Sequence, residues 1–202
     1  MYEMKPLGCD PARLTGLSEK LIVSHYENNY GGAVKRLNQI VEHLGNVDFT
    51  KAPGYVINGV KREELIAMNS MILHEIYFAG LGASARADAL SDVLGDDFGS
   101  PERWSEQFAA MGKAQGGGSG WVLLSYSPRS GKLINQWAVD HTTTIGDGVV
   151  ILALDMYEHS YHIDYGAKAA AYVDAYIQNI NWQNVAQRYS AALKHRYSAH
   201  RH

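Results

Sequence analysis

The order of apolar and polar positions divides the chain into a helical first part, a β-rich middle and a helical end. Apolar residues recur at helical spacing from Leu17 to Leu44, where the paired glycines 31–32 predict a kink because glycine weakens a helix interior. A second helix is predicted from Arg62 to about Leu81, after a loop at residues 46–59 that includes the turn-like Asn58-Gly59. The first part therefore predicts an α-helical hairpin.

The pattern of apolar residues changes after residue 84. Beyond the segment 90–99, Ser100 is suited to cap a helix that runs to about Lys113, with Pro101 in its first position. Three short apolar runs then predict strands, at Trp121–Tyr126, Lys132–Val139 and Val149–Leu154, with a hairpin turn at 127–131. Two helices follow, Ala167–Asn179 and Trp182 to about Arg196. The pattern predicts an α+β protein with an N-terminal α-hairpin domain at residues 1–84 and a C-terminal domain at 85–202, whose three-stranded antiparallel sheet is flanked by helices.

The third predicted strand ends on a carboxylate. Asp155 directly follows the apolar run, and His159 lies four residues further on. A buried carboxylate is costly unless a positive partner neutralises it, and a metal ion shared with His159 is one such partner. The alternative is that Asp155 caps the next turn and His159 is an ordinary polar residue.

Two further histidines lie in apolar, helix-like segments. His25 is in the first helical segment and His74 in the second. A lone histidine on an apolar face is more often a hydrogen-bonded core residue than a metal ligand. Together with Asp155 and His159, however, the two complete a set of three imidazoles and one carboxylate, which suits iron, manganese or zinc better than calcium or magnesium.

The motifs, taken in chain order, resemble those of the iron/manganese superoxide dismutase family. The resemblance covers nearly the whole chain. Residues 25–34 are similar to the family pattern H-H-x-x-H-H-x-x-Y-V, and residues 73–78 to N-H-x-F-Y-W. Residues 118–121 match G-S-G-W. Residues 155–162 are similar to D-x-W-E-H-A-Y-Y, and residues 172–182 to Y-V-x-A-x-x-x-x-x-N-W.

This resemblance implies that one iron or manganese ion is bound in each subunit, with a solvent molecule as fifth ligand. It implies that the metal ligands are His25, His74, Asp155 and His159. Trp121, Tyr77 and Tyr157 would lie around the ligands. Glu158 and Tyr161 match residues that bridge the subunit interface, which implies a homodimer or a higher homo-oligomer.

The chain departs from the family pattern around the entrance to the site. The gateway tyrosine, eight residues after His25, is Ala33, and its histidine partner is Asn29. Alanine at position 33 lacks the hydroxyl donor of the family tyrosine and leaves a void of side-chain size. Tyr30 could partly fill this void, or it could pack elsewhere. Tyr30 is therefore a candidate catalytic residue.

Other departures replace two tryptophans of the motifs and the glutamine that partners the bound solvent. The tryptophan inside the D-x-W-E-H motif is Tyr157, and the one after Tyr77 is Phe78. Ser70 stands where iron-type members carry a glutamine. His141, in a D-H-x-T sequence that resembles some bacterial and archaeal members, is the candidate that takes over the role of this glutamine.

The composition excludes several classes of protein but does not identify the reaction. A formal net charge of −3 and a pI near 6.3 argue against a general nucleic-acid binder. The single cysteine, Cys9, excludes an internal disulfide and a thiolate-rich metal site. No signal-like start or membrane-length apolar run stands out, so we expect a cytoplasmic protein without membrane partners. The basic end, Lys194–His202, is expected to be solvated, and a secondary metal site there is the less favoured alternative.

We therefore predict a superoxide dismutase that cycles its metal between trivalent and divalent states and yields dioxygen and hydrogen peroxide. One alternative keeps the metal but activates dioxygen or peroxide on an organic substrate admitted through the altered entrance. Another is a metal-binding protein without turnover. The sequence does not separate iron from manganese.

Overall fold

A computed structural model describes residues 1–195 of the chain. The N-terminal part contains a helical hairpin, as predicted. Its elements are α1 (Glu19–Ser24), a π-helix (His25–Tyr30), α2 (Gly31–Gly45) and α3 (Gly54–Ala79). The last residues of the predicted basic tail, 196–202, lie outside the described part.

The middle of the chain forms an antiparallel sheet of three strands. The strands are β1 (Trp121–Ser127), β2 (Lys132–Ala138) and β3 (Val149–Asp155), in the spatial order β2-β1-β3. All residues of the central strand β1 are buried. At one end of the sheet Trp121 pairs with Asp155, so the register places the indole beside the carboxylate predicted to bind metal.

Helices cover this sheet and complete the α+β fold. They are α4 (Asp88–Phe98), α5 (Pro101–Ala114), α6 (His162–Tyr165), α7 (Ala169–Gln178) and α8 (Trp182–Ala192). Ser100 caps α5 by accepting a hydrogen bond from the Arg103 amide at 3.0 Å, as predicted. From α7, Tyr176 donates to the Ala153 carbonyl at 2.7 Å, which joins this helix to β3.

Two features of the helical hairpin differ from the prediction. The irregularity of the first long helix is a π-helix at His25–Tyr30, and the predicted kink residues Gly31 and Gly32 instead begin the regular helix α2. Helix α3 begins at Gly54, eight residues before the predicted start, so Asn58-Gly59 lies within a helix. Packing of α3 against α2 has overridden the turn preference of these two residues.

The end of α3 is fastened to the C-terminal part of the chain. The Asn181 amide donates to the Gly80 carbonyl at 2.8 Å, and the Gly82 amide donates to the Asn179 carbonyl at 2.9 Å. A Cβ atom at Gly80 would lie 3.1 Å from Leu152 Cδ1, so glycine permits α3 to approach β3 closely. These contacts hold the two parts together, while the domain boundary between residues 84 and 85 stays a prediction. Over residues 1–195, none of the helices combines the length and apolar character needed to cross a membrane.

Candidate metal centre

Four potential metal ligands converge where the helical hairpin meets the end of β3. Each of His25, His74, Asp155 and His159 offers one donor atom, and these atoms all lie within 4.8 Å of one another. The first two side chains are in the π-helix and α3. Asp155 is the last residue of β3, and His159 lies in the 3-10 turn Glu158–Ser160 that follows. The structure thus brings together residues that are up to 134 positions apart in the sequence.

One carboxylate oxygen is the common neighbour of the three imidazoles. Asp155 Oδ2 lies 3.1 Å from His159 Nε2, 3.2 Å from His25 Nε2 and 3.5 Å from His74 Nε2. Asp155 Oδ1 accepts a hydrogen bond from the Tyr157 amide at 2.8 Å, which fixes the plane of the carboxylate. Three nitrogens around one oxygen is an arrangement that a shared cation explains.

The residues present fit a transition metal. His25 Nε2 and His74 Nε2 are buried without a hydrogen-bond partner, although buried polar atoms are nearly always paired. His74 Nδ1 lies 2.6 Å from the Ser70 carbonyl oxygen, which can only accept, so this nitrogen carries the proton and Nε2 keeps its lone pair. A backbone carbonyl that orients a histidine in this way is common at metal sites.

The protonation states of His25, His74 and Asp155 also suit metal binding. Burial lowers the pKa of His25, and it lowers the pKa of His74 to about 3, with the neighbouring His25 as a further cause. Burial alone would raise the pKa of Asp155, but His159 and His25 outweigh it and hold that pKa well below its ordinary range. Near neutral pH the helix-borne imidazoles are therefore neutral and Asp155 is ionised, which are the forms that bind metal.

His141 is held beside the cluster by two hydrogen bonds. Trp121 Nε1 donates to His141 Nδ1 at 3.0 Å, and Asn69 Nδ2 donates to the His141 carbonyl at 2.6 Å. Because an indole N–H can only donate, His141 Nδ1 is the acceptor and the proton of the neutral ring resides on Nε2. No sequence pattern indicates Asn69, since its partner is a backbone atom in a loop 72 residues away.

Tyr157 lies between two histidines. Its ring stacks on His141 with centroids 4.9 Å apart and planes at 17°, and on His159 at 5.4 Å and 9°. Burial, followed by the Asp155 charge, raises the pKa of Tyr157 to about 12, so its hydroxyl stays protonated. Trp121 packs edge-on to His74 with centroids 5.3 Å apart, as expected of a residue beside the cluster.

The predicted entrance residues have separate environments. Tyr30 is buried, and its ring stacks 6.4 Å from that of His74, but its hydroxyl bonds to Lys5 and Glu75 and not to the four donors. Ala33 is only 8% exposed, so the missing gateway side chain does not leave an open surface there. Asn29 is half-buried in the π-helix. Tyr77 is fully buried, with its ring 4.9 Å from that of His25.

The two predicted interface residues differ in accessibility. Glu158 is exposed beside His159. Tyr161 is 2% exposed and packs on Tyr172 within its own chain, and its role at a subunit interface stays a prediction. The adjacent His162 is exposed instead.

Comparison with known proteins agrees with the motifs. The family model for the C-terminal domain of iron/manganese superoxide dismutases matches residues 86–188. A superoxide dismutase [Fe] of Cupriavidus metallidurans is 67% identical over 195 residues, which cover 96% of this chain and 99% of the relative. A superoxide dismutase [Fe] of Aquifex pyrophilus is 31% identical (91% and 89% covered), and superoxide dismutase [Mn] 1 of Halobacterium salinarum is 31% identical (96% and 97% covered). The chain belongs to the iron/manganese superoxide dismutase family.

Proposed function

We propose that His25, His74, Asp155 and His159 hold one iron ion, with which this metal-dependent dismutase converts superoxide to dioxygen and hydrogen peroxide. The observation that carries this proposal is the single buried oxygen, Asp155 Oδ2, faced by three imidazole nitrogens at 3.1–3.5 Å. Iron is our choice over manganese because the relative that shares 67% of its residues is named as an iron enzyme.

Against the effect of burial, Asp155 raises the pKa of His159, so metal binding would have to displace any proton from this imidazole, and the cluster would then supply one negative and three neutral ligands. When bound, the metal supplies a one-electron couple that oxidises one superoxide and reduces the next. The ionised Asp155 lowers the net charge of the site and so favours the higher oxidation state. The second superoxide needs two protons to leave as hydrogen peroxide, so the site must also handle protons.

We assign proton handling to His141 and not to Tyr30. His141 Nε2 carries a proton, because Trp121 occupies Nδ1. The Tyr30 hydroxyl is committed to Lys5 and Glu75, and burial raises the pKa of Tyr30 to about 12, which makes it a poor proton donor near neutrality. His141 Nε2 is thus the candidate donor for a solvent molecule or product at the metal.

We further propose that the chain acts as a homodimer in the cytoplasm. The His159 side chain is 26% exposed although it belongs to the cluster, and the exposed Glu158 lies directly beside it. An isologous dimer would cover both residues and place the two metal sites near the interface. A single cysteine, which allows no internal disulfide, is compatible with a reducing compartment.

The test combines metal analysis with turnover. Protein loaded separately with iron or manganese is expected to hold one ion per chain, and the iron form should consume superoxide faster in stopped-flow measurements. His141→Ala should retain iron but lose most of the turnover, whereas His43→Ala, which removes an exposed imidazole elsewhere, should change neither. Sedimentation velocity at micromolar concentration should report a dimer. An iron-loaded protein without superoxide consumption above that of free iron would reject the proposed activity.

A further inference from the structure

Three segments distant in sequence meet at Glu75, the residue after His74. The Tyr30 hydroxyl donates to Glu75 Oε1 at 3.2 Å, and the Lys5 ammonium pairs with Glu75 Oε2. The Lys5 amide in turn donates to the Tyr30 hydroxyl at 2.8 Å, which closes a ring of contacts among the three residues. We refer to Lys5, Tyr30 and Glu75 as the clamp.

The N-terminal segment that carries Lys5 is itself fastened. The Tyr2 amide donates to Asn38 Oδ1 at 2.8 Å, and Asn38 Nδ2 donates back to the Tyr2 carbonyl at 2.9 Å. Tyr26 donates from its hydroxyl to the Lys5 carbonyl at 2.7 Å. Lys5 is therefore fixed at its amide, its carbonyl and its ammonium, although its side chain is 69% exposed.

Burial distinguishes the clamp from an ordinary surface ion pair. An exposed lysine–glutamate pair contributes little because water screens it and two long side chains must be ordered. Here the Glu75 side chain is only 11% exposed, and Tyr30 is 1% exposed. Removal of the Glu75 carboxylate would leave a buried tyrosine hydroxyl without its acceptor, which is the costly case for a hydrogen bond.

The clamp joins the elements that carry the two helix-borne donors. Tyr30 ends the π-helix that begins with His25, and its ring stacks beside His74 with planes at 19°. Glu75 is covalently adjacent to His74. We infer that Lys5, Tyr30 and Glu75 are positioning residues that set the spacing of His25 and His74, and through it the geometry and retention of the bound metal.

This inference rests on the proposed function, because it takes His25 and His74 as ligands. Its competitor is a purely structural role, in which the clamp only tethers the N-terminal segment to the helical hairpin. The two roles differ in one respect: a tether affects the stability of the fold, whereas a positioning role also changes the electronic environment of the metal.

The experiment compares Tyr30→Phe and Glu75→Gln with the matched control Tyr26→Phe. All three changes are conservative in shape, but the Tyr26 hydroxyl bonds only to the Lys5 carbonyl, so Tyr26→Phe leaves the contacts of the Lys5 amide and ammonium with Tyr30 and Glu75 in place. Each variant is loaded with iron, and the measurements are the electron paramagnetic resonance spectrum of the ferric protein, the rate of iron loss to a chelator, and Tm. We expect Tyr30→Phe and Glu75→Gln to alter the spectrum and to release iron about tenfold faster, with Tyr26→Phe close to the wild type in both.

Unchanged spectra and release rates in Tyr30→Phe and Glu75→Gln, with only Tm lowered, would overturn the positioning role and leave a tether. If Glu75→Gln does not fold, Lys5→Met removes the ammonium from the exposed side of the same clamp and should shift the spectrum in the same direction. Failure of the proposed ligand set would look different, because His25→Ala would then keep iron with an unaltered spectrum.

Discussion

The four donors form two pairs that are held in different ways. Asp155 and His159 lie within five residues of each other, at the end of β3 and in the turn that follows. His25 and His74 lie on separate helical elements 49 residues apart. We call these the strand pair and the helix pair.

Local hydrogen bonds fix the backbone of the strand pair. The Asp155 carbonyl accepts from Tyr172 and from Ser160, each at 2.8 Å, and the Met156 amide donates to the Gly120 carbonyl at 2.9 Å. In addition, His159 Nε2 and Asp155 Oδ2 are within hydrogen-bond distance of each other at 3.1 Å. The backbone bonds of the strand pair do not involve the donor atoms that we propose to bind the metal.

The helix pair depends more on the cation. His74 is oriented by the Ser70 carbonyl, but the Nε2 atoms of His25 and His74 are both buried without a hydrogen-bond partner. They face Asp155 Oδ2 at 3.2 and 3.5 Å, and a metal ion shared with that oxygen would satisfy both nitrogens. Backbone bonds preorganise the strand pair, whereas the proposed metal would complete the helix pair and so couple metal binding to the packing of the hairpin.

Asp155→Asn is expected to lose the metal altogether. The amide keeps the shape of the side chain but removes the one negative ligand of the cluster. We expect iron content to fall to background while the far-ultraviolet circular dichroism spectrum stays close to that of the wild type, since the backbone bonds to Tyr172 and Ser160 remain. Elemental analysis of the purified protein measures the iron. Full iron content with an unchanged absorption spectrum would show that Asp155 is not a ligand.

A second prediction compares an alanine substitution in the helix pair with one in the strand pair. His25→Ala removes a side chain that is 1% exposed, so it should abolish iron binding and lower the free energy of unfolding by roughly 1–3 kcal/mol through loss of packing. The His159 side chain is 26% exposed, so water can reach the vacated position in His159→Ala, and we expect weak iron binding with a smaller loss of stability. Chelator competition and urea unfolding measure the two quantities.

The control for this pair is His43→Ala, which removes an exposed imidazole from α2. It should alter neither quantity. Equal iron affinities and equal stability losses for His25→Ala and His159→Ala would contradict the distinction between the helix pair and the strand pair.

The strand pair was the easier part to predict from the sequence. An apolar run that ends on Asp155, with His159 four residues later, is a local pattern, and the motif G-S-G-W located the neighbouring strand. The three strands were predicted nearly to their ends because continuous apolar runs between turn residues leave few alternatives.

The surroundings of the helix pair were harder to predict. Over six residues, the period of a π-helix is indistinguishable from that of an α-helix, so the sequence predicted a regular α-helix at His25–Tyr30. The partners of the Tyr30 hydroxyl are 25 and 45 residues away, and no local pattern indicates such contacts. The interface role of Tyr161 stays a prediction from the motif, and no local pattern indicated that its ring packs on Tyr172.

The smallest expected effect, from Ser160→Ala, tests how redundantly the strand pair is held. The Ser160 hydroxyl is within hydrogen-bond distance of the Asp155 carbonyl at 2.8 Å and of the Tyr157 carbonyl at 2.7 Å, but its single proton serves one of them at a time. Loss of this hydroxyl should therefore cost about 0.5–1.5 kcal/mol of unfolding free energy, the net value of one hydrogen bond. Tyr172 still donates to the Asp155 carbonyl, so the carboxylate should stay in place and iron content should remain at the wild-type level.

Urea unfolding with parallel iron analysis separates the stability of Ser160→Ala from its iron content. A marked loss of iron from Ser160→Ala would mean that the strand pair is as dependent on single contacts as the helix pair, and the contrast between them would no longer hold.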